Sequence, residues 1–379
     1  MGQKLRMGMV GGGPGAFIGP VHKMAAELDG KIELVAGAFS QSAERSKAAG
    51  ISFGIDPERA YASYQEMIAA ESRRENGIDL VVIATPNHLH LPVAEAALSV
   101  GIAVMSDKPA TATYDEALVL RGVVEKAGVP YGLTHTYAGY SLVREARALC
   151  ASGRLGAIRK VAVEYLQGWL SKPLEATGQK QAAWRSDPAL NGPGGCIGDI
   201  GTHAFHLTEY VTGLKVTWMN AALRRVVPGR RLDDDCNALL RLEGGATGTL
   251  MASQVAAGEG NGLRLRVYGE NGSLDWKQED PNRLRVKWLD GPEEIWHAAA
   301  GYLSAGSLAV TRLPGGHPEG YIEAFAVLYR EFAEGLIAWR AGKAGALPAT
   351  LPGIEAGVRG MRFIERAILS DRTESWVEF

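Results

Sequence analysis

The strongest constraint on the fold is a run of glycines directly behind a short apolar segment at the start of the chain. Residues 5–10 have the pattern of a buried strand, and an apolar helical pattern ends near residue 28. Between them, Gly11, Gly13 and Ala16 satisfy a G-x-G-x-x-G/A pattern. In a strand–loop–helix unit, this pattern lets backbone amides and a helix N-terminus accept a pyrophosphate. The sequence therefore predicts a phosphate-binding loop here.

A second register of the same loop is also open. It uses Gly19 as the glycine that packs the helix, with Pro14 to Phe17 forming a longer loop. Both registers keep the phosphate loop in place. The candidates for contact with a dinucleotide in this loop are Gly11, Gly13, Gly15, Ala16, Phe17 and Ile18.

Strand and helix patterns then alternate through the first third of the chain. Strands are predicted at residues 32–38, 80–84, 103–105 and 131–133, and helices at residues 57–73, 90–100 and 114–127. Such alternation is typical of a parallel sheet with crossover helices. We predict an α/β fold whose first domain, residues 1–138, is a doubly wound Rossmann domain.

The rhythm changes in residues 139–379. A helix is predicted at residues 141–152, and strands at residues 159–166, 216–226, 238–242, 247–255, 263–268 and 283–288. Two helices at residues 321–339 and 354–369 and a strand at residues 376–377 follow. We predict an α+β substrate-binding domain with a large open, mainly antiparallel sheet. Its closing helices are candidates to pack back on the first domain, and its one-sided sheet predicts a homodimer or homotetramer.

The composition excludes several classes of partner. Of the 379 residues, 40 are Lys or Arg and 42 are Asp or Glu, so no broad attraction for nucleic acid or anionic lipid is expected. No apolar run is long enough for a spanning helix. Three widely spaced cysteines fit a reducing compartment, which predicts a cytoplasmic protein. A small neutral polar substrate fits this charge balance.

An acid and an imidazole lie four residues apart behind a second run of glycines, in residues 192–206. If the helix begins at Asp199, then Asp199 and His203 share one face, and the carboxylate could orient a ring that moves protons. Cys196 and His206 complete a possible metal cluster, but the spacing matches no standard zinc pattern, so we predict no metal. An acid and a base alone do not name a reaction.

Two further motifs make the pattern more specific. Residues 81–90 read Val-Val-Ile-Ala-Thr-Pro-Asn-His-Leu-His, and residues 106–109 read Ser-Asp-Lys-Pro. With the glycine loop and the Asp199–His203 pair, they resemble the Gfo/Idh/MocA oxidoreductases over nearly the whole chain. The family usually has Glu-Lys-Pro where this chain has Asp-Lys-Pro, a change that keeps the charge and shortens one arm.

The resemblance implies a site at a nicotinamide ring where Lys108, Asp199 and His203 meet. His203 would take the proton of a secondary alcohol, and Lys108 would stabilise the developing alkoxide. Asp199 would either orient His203 or bind a neighbouring hydroxyl. The cofactor contacts implied at the sheet ends are Thr85, Pro86, Asn87, His90, Asp107, Lys108 and Pro109.

The choice between NAD and NADP depends on the end of the second strand. Residues 38–42 read Ala-Phe-Ser-Gln-Ser and lack the acid that usually binds the ribose hydroxyls of NAD. Ser40, Ser42 and Arg45 could bind a 2′-phosphate instead. Both cofactors stay open, with a slight preference for NADP.

The remaining candidates lie outside these motifs. Tyr137, Trp184, Arg185 and His317 are predicted to contact substrate together with Asp199 and His203, whereas residues 233–235, three successive aspartates, are predicted to be a solvated turn.

The resemblance implies hydride transfer between NAD(P) and a secondary hydroxyl or ketone of a sugar, a sugar derivative or a cyclitol, and the absence of a dense basic cluster fits an uncharged substrate. Two alternatives stay open: a nicotinamide-dependent glycosidase or lyase that oxidises its substrate transiently, and a sensor of sugar and nucleotide without chemistry.

Overall fold

The computed structural model describes residues 4–13, 15–343 and 345–379. They form two compact units. The first comprises the chain up to His135 together with Phe325–Val358, and the second comprises Thr136–Ala324 together with Arg359–Phe379.

The first unit contains a five-stranded parallel sheet and its crossover helices. In chain order the elements are β1 (Leu5–Gly11), α1 (Ile18–Glu27), β2 (Ile32–Ala38), α2 (Ala43–Phe53), α3 (Tyr64–Glu71), β3 (Leu80–Ala84), α4 (His90–Ser99), β4 (Ala103–Ser106), α5 (Tyr114–Ala127) and β5 (Tyr131–Leu133). The strand order is β2-β1-β3-β4-β5, and every described pair is parallel. The predicted Rossmann fold is confirmed.

The central strand β3 is apolar throughout because both faces of the sheet are covered. All five residues of β3 are buried, and Met7 and Met9 of β1 are fully buried. The single helix predicted over residues 57–73 is wrong. Pro57–Arg59 is a separate 3₁₀ turn, and α3 begins after Ser63, whose hydroxyl accepts the Glu66 N–H at 3.2 Å.

The second unit contains the larger sheet. Its elements are α6 (Ser141–Ala151), β6 (Ile158–Leu166), α7 (Lys180–Arg185), α8 (Pro188–Asn191), α9 (Thr202–Thr212), β7 (Val216–Arg224), β8 (Asp235–Leu242), β9 (Thr247–Ser253), β10 (Gly262–Gly269), β11 (Gly272–Lys277), β12 (Arg283–Trp288), β13 (Glu293–His297) and α10 (Ala305–Leu308). The chain then forms α11 (Tyr321–Arg340), α12 (Ile354–Thr373) and β14 (Val377–Glu378), and two of the three unit boundaries fall inside α11 and α12.

The nine strands of this sheet lie in the order β13-β12-β11-β10-β6-β9-β8-β7-β14. The β6–β9 pair is parallel and the other described pairs are antiparallel, so the predicted open, mainly antiparallel sheet is confirmed. One face is buried, with Leu250, Leu265 and Trp276 among its residues, and the opposite face exposes Leu239 and Met251.

Within the described residues, the helices include none that is both long and apolar enough to cross a membrane.

Candidate active site

The glycine loop of the first unit brings two backbone segments into direct contact. Gly11 and Gly12 have φ values of +81° and +67°, which favour glycine. A Cβ added to Gly19 would lie 1.9 Å from the Gly12 carbonyl oxygen, and one added to Gly13 would lie 2.6 Å from the Phe39 oxygen. Gly19 is therefore the glycine at which α1 packs on the loop, as the second register proposes.

The rest of this loop is short. The Ala16 N–H donates to the Gly13 oxygen at 3.0 Å, Gly15 has φ +80°, and Phe17 precedes the first residue of α1, Ile18. Pro14 lies outside the described residues. A glycine loop that lacks side chains and precedes a helix N-terminus has room for the pyrophosphate of a dinucleotide.

The turn after β2 uses its hydroxyls locally. Ser40 Oγ accepts the Ser42 N–H at 3.2 Å, and Ser42 Oγ accepts the Arg45 N–H at 3.4 Å. The Arg45 residue is exposed in the first turn of α2. The two hydroxyls thus have backbone partners within their own turn.

The carboxyl ends of β3, β4 and β5 are connected by two side chains. His90 is 1% exposed, and its Nδ1 and Nε2 lie 2.7 Å and 3.0 Å from the carbonyl oxygens of Pro109 and Thr85. Asp107 Oδ1 accepts the Thr134 hydroxyl at 2.7 Å and the N–H of the next residue, Lys108, at 3.0 Å. Asn87, one turn before His90, is also buried. Burial lowers the pKa of His90. The predicted cofactor contacts in this motif therefore share one sheet edge.

The glycine run of the second unit is closed by a buried carboxylate. Asp233 Oδ1 accepts the Gly195 N–H at 2.6 Å, Oδ2 accepts the Ile197 N–H at 2.7 Å, and the Asp233 carbonyl accepts the Cys196 N–H at 2.8 Å. A Cβ on Gly195 would lie 2.1 Å from that carbonyl oxygen. Burial raises the pKa of Asp233 to about 6, against the effect of these amides.

This arrangement corrects one expectation. Asp233 and its neighbour Asp234 are 8% and 1% exposed, so the predicted solvated turn is wrong for both. Asp234 accepts the N–H groups of Val226 and Val227 at 2.6 Å and 3.0 Å. The charged sequence around these aspartates is typical of a surface turn and gives no local signal of their backbone donors.

A π-helical turn at Ile197–Gly201 carries the candidate acid, and α9, which begins at Thr202, carries the candidate base. Asp199 Oδ2 accepts Arg185 Nε at 3.2 Å and Gln254 Nε2 at 2.8 Å. The Arg185 guanidinium lies 4.3 Å from the centre of the Trp184 ring. Of the predicted substrate contacts, Arg185 therefore binds Asp199 directly and Trp184 packs against Arg185. Gln254, 55 positions away in sequence, was missed.

The His203 ring is 8% exposed and packs among tyrosines. Its centroid lies 4.8 Å from that of Tyr137, with the planes nearly perpendicular at 76°, and 6.2 Å from that of Tyr165. The sequence named Tyr137 as a candidate substrate contact, but it did not identify Tyr165 as a site residue. Lys108 belongs to the first unit, whereas Asp199 and His203 belong to the second.

His317 lies in the second unit, before the start of α11. Its ring Nδ1 is 3.2 Å from the Pro314 oxygen, and it lines a cleft of about 370 Å³, including space open to solvent, with Asn282 and Glu319. Neither Asp199 nor His203 lines this cleft.

No group of three or more His, Cys, Asp and Glu side chains is placed to hold a metal ion in the part of the chain that the structure describes. Cys196 and Cys236 are buried, and burial raises the pKa of both thiols well above its usual value. A protonated thiol is a poor metal ligand.

Family comparisons agree with this architecture. Residues 5–135 match the oxidoreductase family with an NAD-binding Rossmann fold, and residues 143–275 match the Gfo/Idh/MocA C-terminal domain. The chain belongs to the Gfo/Idh/MocA oxidoreductases, and its first unit contains an NAD-binding Rossmann domain.

Several relatives align along much or all of the chain. An uncharacterized oxidoreductase of Bacillus subtilis, YfiI, is 35% identical, with 99% of this chain and 97% of that protein covered. A levoglucosan dehydrogenase of Pseudarthrobacter phenanthrenivorans is 26% identical over 75% of this chain and 76% of its own.

An inositol dehydrogenase homolog of Azotobacter vinelandii, 38% identical, has been crystallised with NAD⁺ and with NADH and myo-inositol. The TM-scores are 0.96 and 0.93, with 100% of this chain and 98% of that chain covered in both cases.

Proposed function

We propose that this protein is a dehydrogenase that uses NAD to oxidise a secondary alcohol of an uncharged cyclitol or sugar. The observation that carries the proposal is the full-length similarity to the Azotobacter protein bound to NADH and myo-inositol. It is supported by the presence of Lys108, Asp199 and His203 in the order of the family motifs. A bound nicotinamide would supply the hydride acceptor.

We assign the proton of the substrate hydroxyl to His203. An imidazole has the pKa range for this transfer near neutral pH. Asp199 would hold the substrate and the base in register, because Arg185 and Gln254 fix its Oδ2 from two directions. Lys108, in the turn held by Asp107, would stabilise negative charge on the same oxygen.

An uncharged substrate is supported by the pairing of charges at this point. The Arg185 guanidinium is already 3.2 Å from a carboxylate, so it has less attraction for an anionic group on a substrate. Asp199 and Arg185 together present hydrogen-bonding groups without net charge. Hydroxyl groups satisfy both.

NAD is our proposed cofactor, in place of the slight preference for NADP read from the sequence. Residues 5–135 match an NAD-binding Rossmann fold, and the Azotobacter relative has been crystallised with NAD⁺ and with NADH. We expect kcat/KM to be higher with NAD. An Arg45→Ala variant should lower kcat/KM for NADP and leave that for NAD unchanged.

We also propose that the exposed face of the nine-stranded sheet joins copies of this chain in a dimer or tetramer. Trp218, Leu239 and Met251 are 37%, 51% and 37% exposed on strands β7, β8 and β9, which are neighbours in the sheet. Large apolar side chains exposed on neighbouring strands of one sheet face are expected at an interface. The cytoplasm stays the predicted compartment.

The test is a panel of inositols, aldoses and glycosides, each assayed with NAD and with NADP by the absorbance of the reduced nicotinamide. We expect reduction of NAD by at least one polyol. A Lys108→Met variant should lose most of this activity and still bind NAD. If no compound reduces either cofactor, or if Lys108→Met matches the wild type, the proposal is wrong. Glycoside cleavage without net reduction would favour the transient-oxidation mechanism.

A further inference from the structure

A hydrogen-bond network in the second unit includes the two tyrosines that pack against His203 of α9. Trp169 Nε1 lies 3.0 Å from Gln167 Oε1, and Gln167 Nε2 lies 2.7 Å from Asn261 Oδ1. The Tyr165 hydroxyl is 2.7 Å from the same Asn261 oxygen. The Tyr137 hydroxyl contacts that of Tyr165 and is 3.4 Å from Asn261 Nδ2. Tyr137, Tyr165 and Asn261 therefore form a closed triangle.

The indole at one end determines the direction of every bond in the network. An indole N–H can only donate, so the oxygen of the Gln167 amide must face Trp169 and its NH₂ must face Asn261. That NH₂ requires an acceptor, so the Asn261 group it meets is the carbonyl oxygen. Because a carbonyl oxygen cannot donate, the Tyr165 hydroxyl must give its proton to it.

The same logic determines the remaining two bonds. Tyr165 has only one hydroxyl proton, which Asn261 already accepts, so the Tyr137 hydroxyl must donate to Tyr165. The Tyr137 oxygen in turn accepts the N–H of Asn261 Nδ2. The assignment is consistent at each of the three corners.

These protons stay in place over the ordinary pH range. Tyr137 and Tyr165 are 4% and 3% exposed, and burial raises the pKa of both phenols far above the usual value. Tyr137 therefore has its single hydroxyl proton committed to Tyr165 and has none to donate to a substrate.

Of the two tyrosines in the triangle, Tyr137 lies nearer to His203. The Tyr137 and His203 rings are nearly perpendicular, with centroids 4.8 Å apart. The centroid of the Tyr165 ring lies 6.2 Å from that of His203. A ring whose hydroxyl is held by two hydrogen-bonded partners restricts the orientation of its neighbour more than a ring held by packing alone.

We propose that Tyr137, Tyr165 and Asn261 are positioning residues that hold the His203 imidazole in the orientation needed for proton transfer. The proposal rests on the proposed function, because it takes His203 as the base. It assigns the triangle no contact with substrate. The orientation of a base matters in the transition state more than in substrate binding, so the effect belongs in kcat.

The central variant is Tyr165→Phe, which removes one hydroxyl and opens the triangle. We expect kcat to fall about tenfold, with KM for the polyol and for NAD within about twofold of the wild type. Tyr137→Phe, and the double variant with both changes, should show about the same loss as Tyr165→Phe, since the two hydroxyls act as one unit.

Tyr140→Phe is the matched control. Tyr140 is also buried, its ring is stacked on Tyr137 at 6.3 Å, and its hydroxyl accepts Gln278 Nε2 at 3.4 Å, outside the triangle. The same chemical change here should leave kcat within about twofold. A similar loss in Tyr140→Phe and Tyr165→Phe would mean that general packing is responsible, and would overturn the proposal.

A second readout does not depend on activity. The His203 ring protons lie in the ring current of Tyr137, so their NMR chemical shifts report the angle and distance between the two rings. With histidine-labelled full-length protein, and His203 assigned by a His203→Gln variant, we expect these shifts to move in Tyr165→Phe and to stay in Tyr140→Phe. Unchanged shifts in Tyr165→Phe would contradict the proposal even if no substrate had been found.

The two proposals fail in different ways. If the wild type reduces NAD with a polyol and Tyr165→Phe has normal kcat, only the triangle is wrong. If the wild type reduces no cofactor but the His203 shifts move as expected, the proposed function fails and the positioning of the ring stands.

Discussion

Gly19 shows how much a single residue type can determine. Gly19 lies so close to the Gly12 backbone that a Cβ added to Gly19 would be 1.9 Å from the Gly12 carbonyl oxygen. The sequence could suggest that one glycine packs the loop on α1, but two registers satisfied the pattern. Only the three-dimensional approach of Gly12 distinguishes Gly19 from Ala16.

We predict that Gly19→Ala weakens NAD binding at least tenfold and destabilises the protein by about 2 kcal/mol, because the loop must move away from α1. The matched control is Gly122→Ala, in α5, where an added Cβ meets no atom within 4 Å. That variant should be neutral or stabilised by up to about 1 kcal/mol. Calorimetric titration with NAD and urea unfolding measure both quantities. Normal NAD affinity in Gly19→Ala would contradict the close-packing account.

His22, two residues beyond the Pro20 of α1, is a buried histidine that should stay neutral. It is 0% exposed, its Nδ1 lies 2.6 Å from the Tyr329 hydroxyl, and burial lowers its pKa to about 4. Nearby Asp107 raises that pKa and His90 lowers it. The unfolded chain would bind a proton near pH 6.5, whereas the folded protein would not until about pH 4.

The contribution of His22 to the free energy of unfolding should therefore be highest above about pH 6.5. It should fall by about 3 kcal/mol as the pH drops to about 4. In His22→Gln this acid-induced loss should be smaller by about that amount, and in a His297→Gln control, at an exposed histidine, it should be unchanged. Urea unfolding at several pH values measures it. An NMR titration that placed the His22 pKa near 6.5 would contradict this prediction.

At the scale of elements, the sequence predicts what local patterns determine. The bounds of β2, β3, α5 and β5 match the predicted ranges, because glycines, caps and apolar runs delimit them locally. Helix α2 and strands β11 and β13 were missed. Strands β11 and β13 are short and carry charged residues on their exposed face, so their assignment depends on pairing with neighbouring strands rather than on their own composition.

In the candidate site, too, local motifs can be read from the sequence and contacts between distant segments cannot. Motif residues such as Lys108 and His203 stand out in sequence, whereas their supports do not. Gln254, Tyr165 and Asn261 reach the site from other strands and loops, and the π-helical turn at Ile197–Gly201 has no periodic signature. A contact between residues far apart in sequence leaves no local pattern to read.

The entry to this π-helical turn depends on Asp233, which closes the glycine run through two N–H bonds. We predict that Asp233→Ala lowers the free energy of unfolding by about 3 kcal/mol, since two buried amides lose their acceptors. It should also lower kcat at least tenfold, because Asp199 and His203 follow that turn. Thermal unfolding and steady-state kinetics measure the two effects.

Asp235→Ala provides the control two residues away. Asp235 is half-buried and accepts the Asn237 side chain at 3.2 Å, outside the glycine run. We expect a change within about 1 kcal/mol and nearly normal kcat. Equal effects of the two variants would refute a specific role of Asp233 in the turn.

At the scale of the whole molecule, the exposed sheet face should determine the assembly. We predict that Leu239→Arg converts the assembly to smaller species, because a charge placed in an apolar interface loses its hydration. Ile51→Arg, at a 63% exposed apolar residue of the first unit, should not change the assembly. Light scattering coupled to size-exclusion chromatography measures the mass. A monomeric wild type would refute the proposed interface.

The most direct test of the central claim follows the hydrogen itself. A polyol that reduces NAD is prepared with deuterium on its carbinol carbons and incubated with NAD and the enzyme, and the reduced nicotinamide is analysed by mass spectrometry. We predict one deuterium in each reduced cofactor with the wild type, and almost no labelled product with Lys108→Met or His203→Gln. Substrate consumption without deuterium in the nicotinamide would contradict hydride transfer as the reaction of this protein.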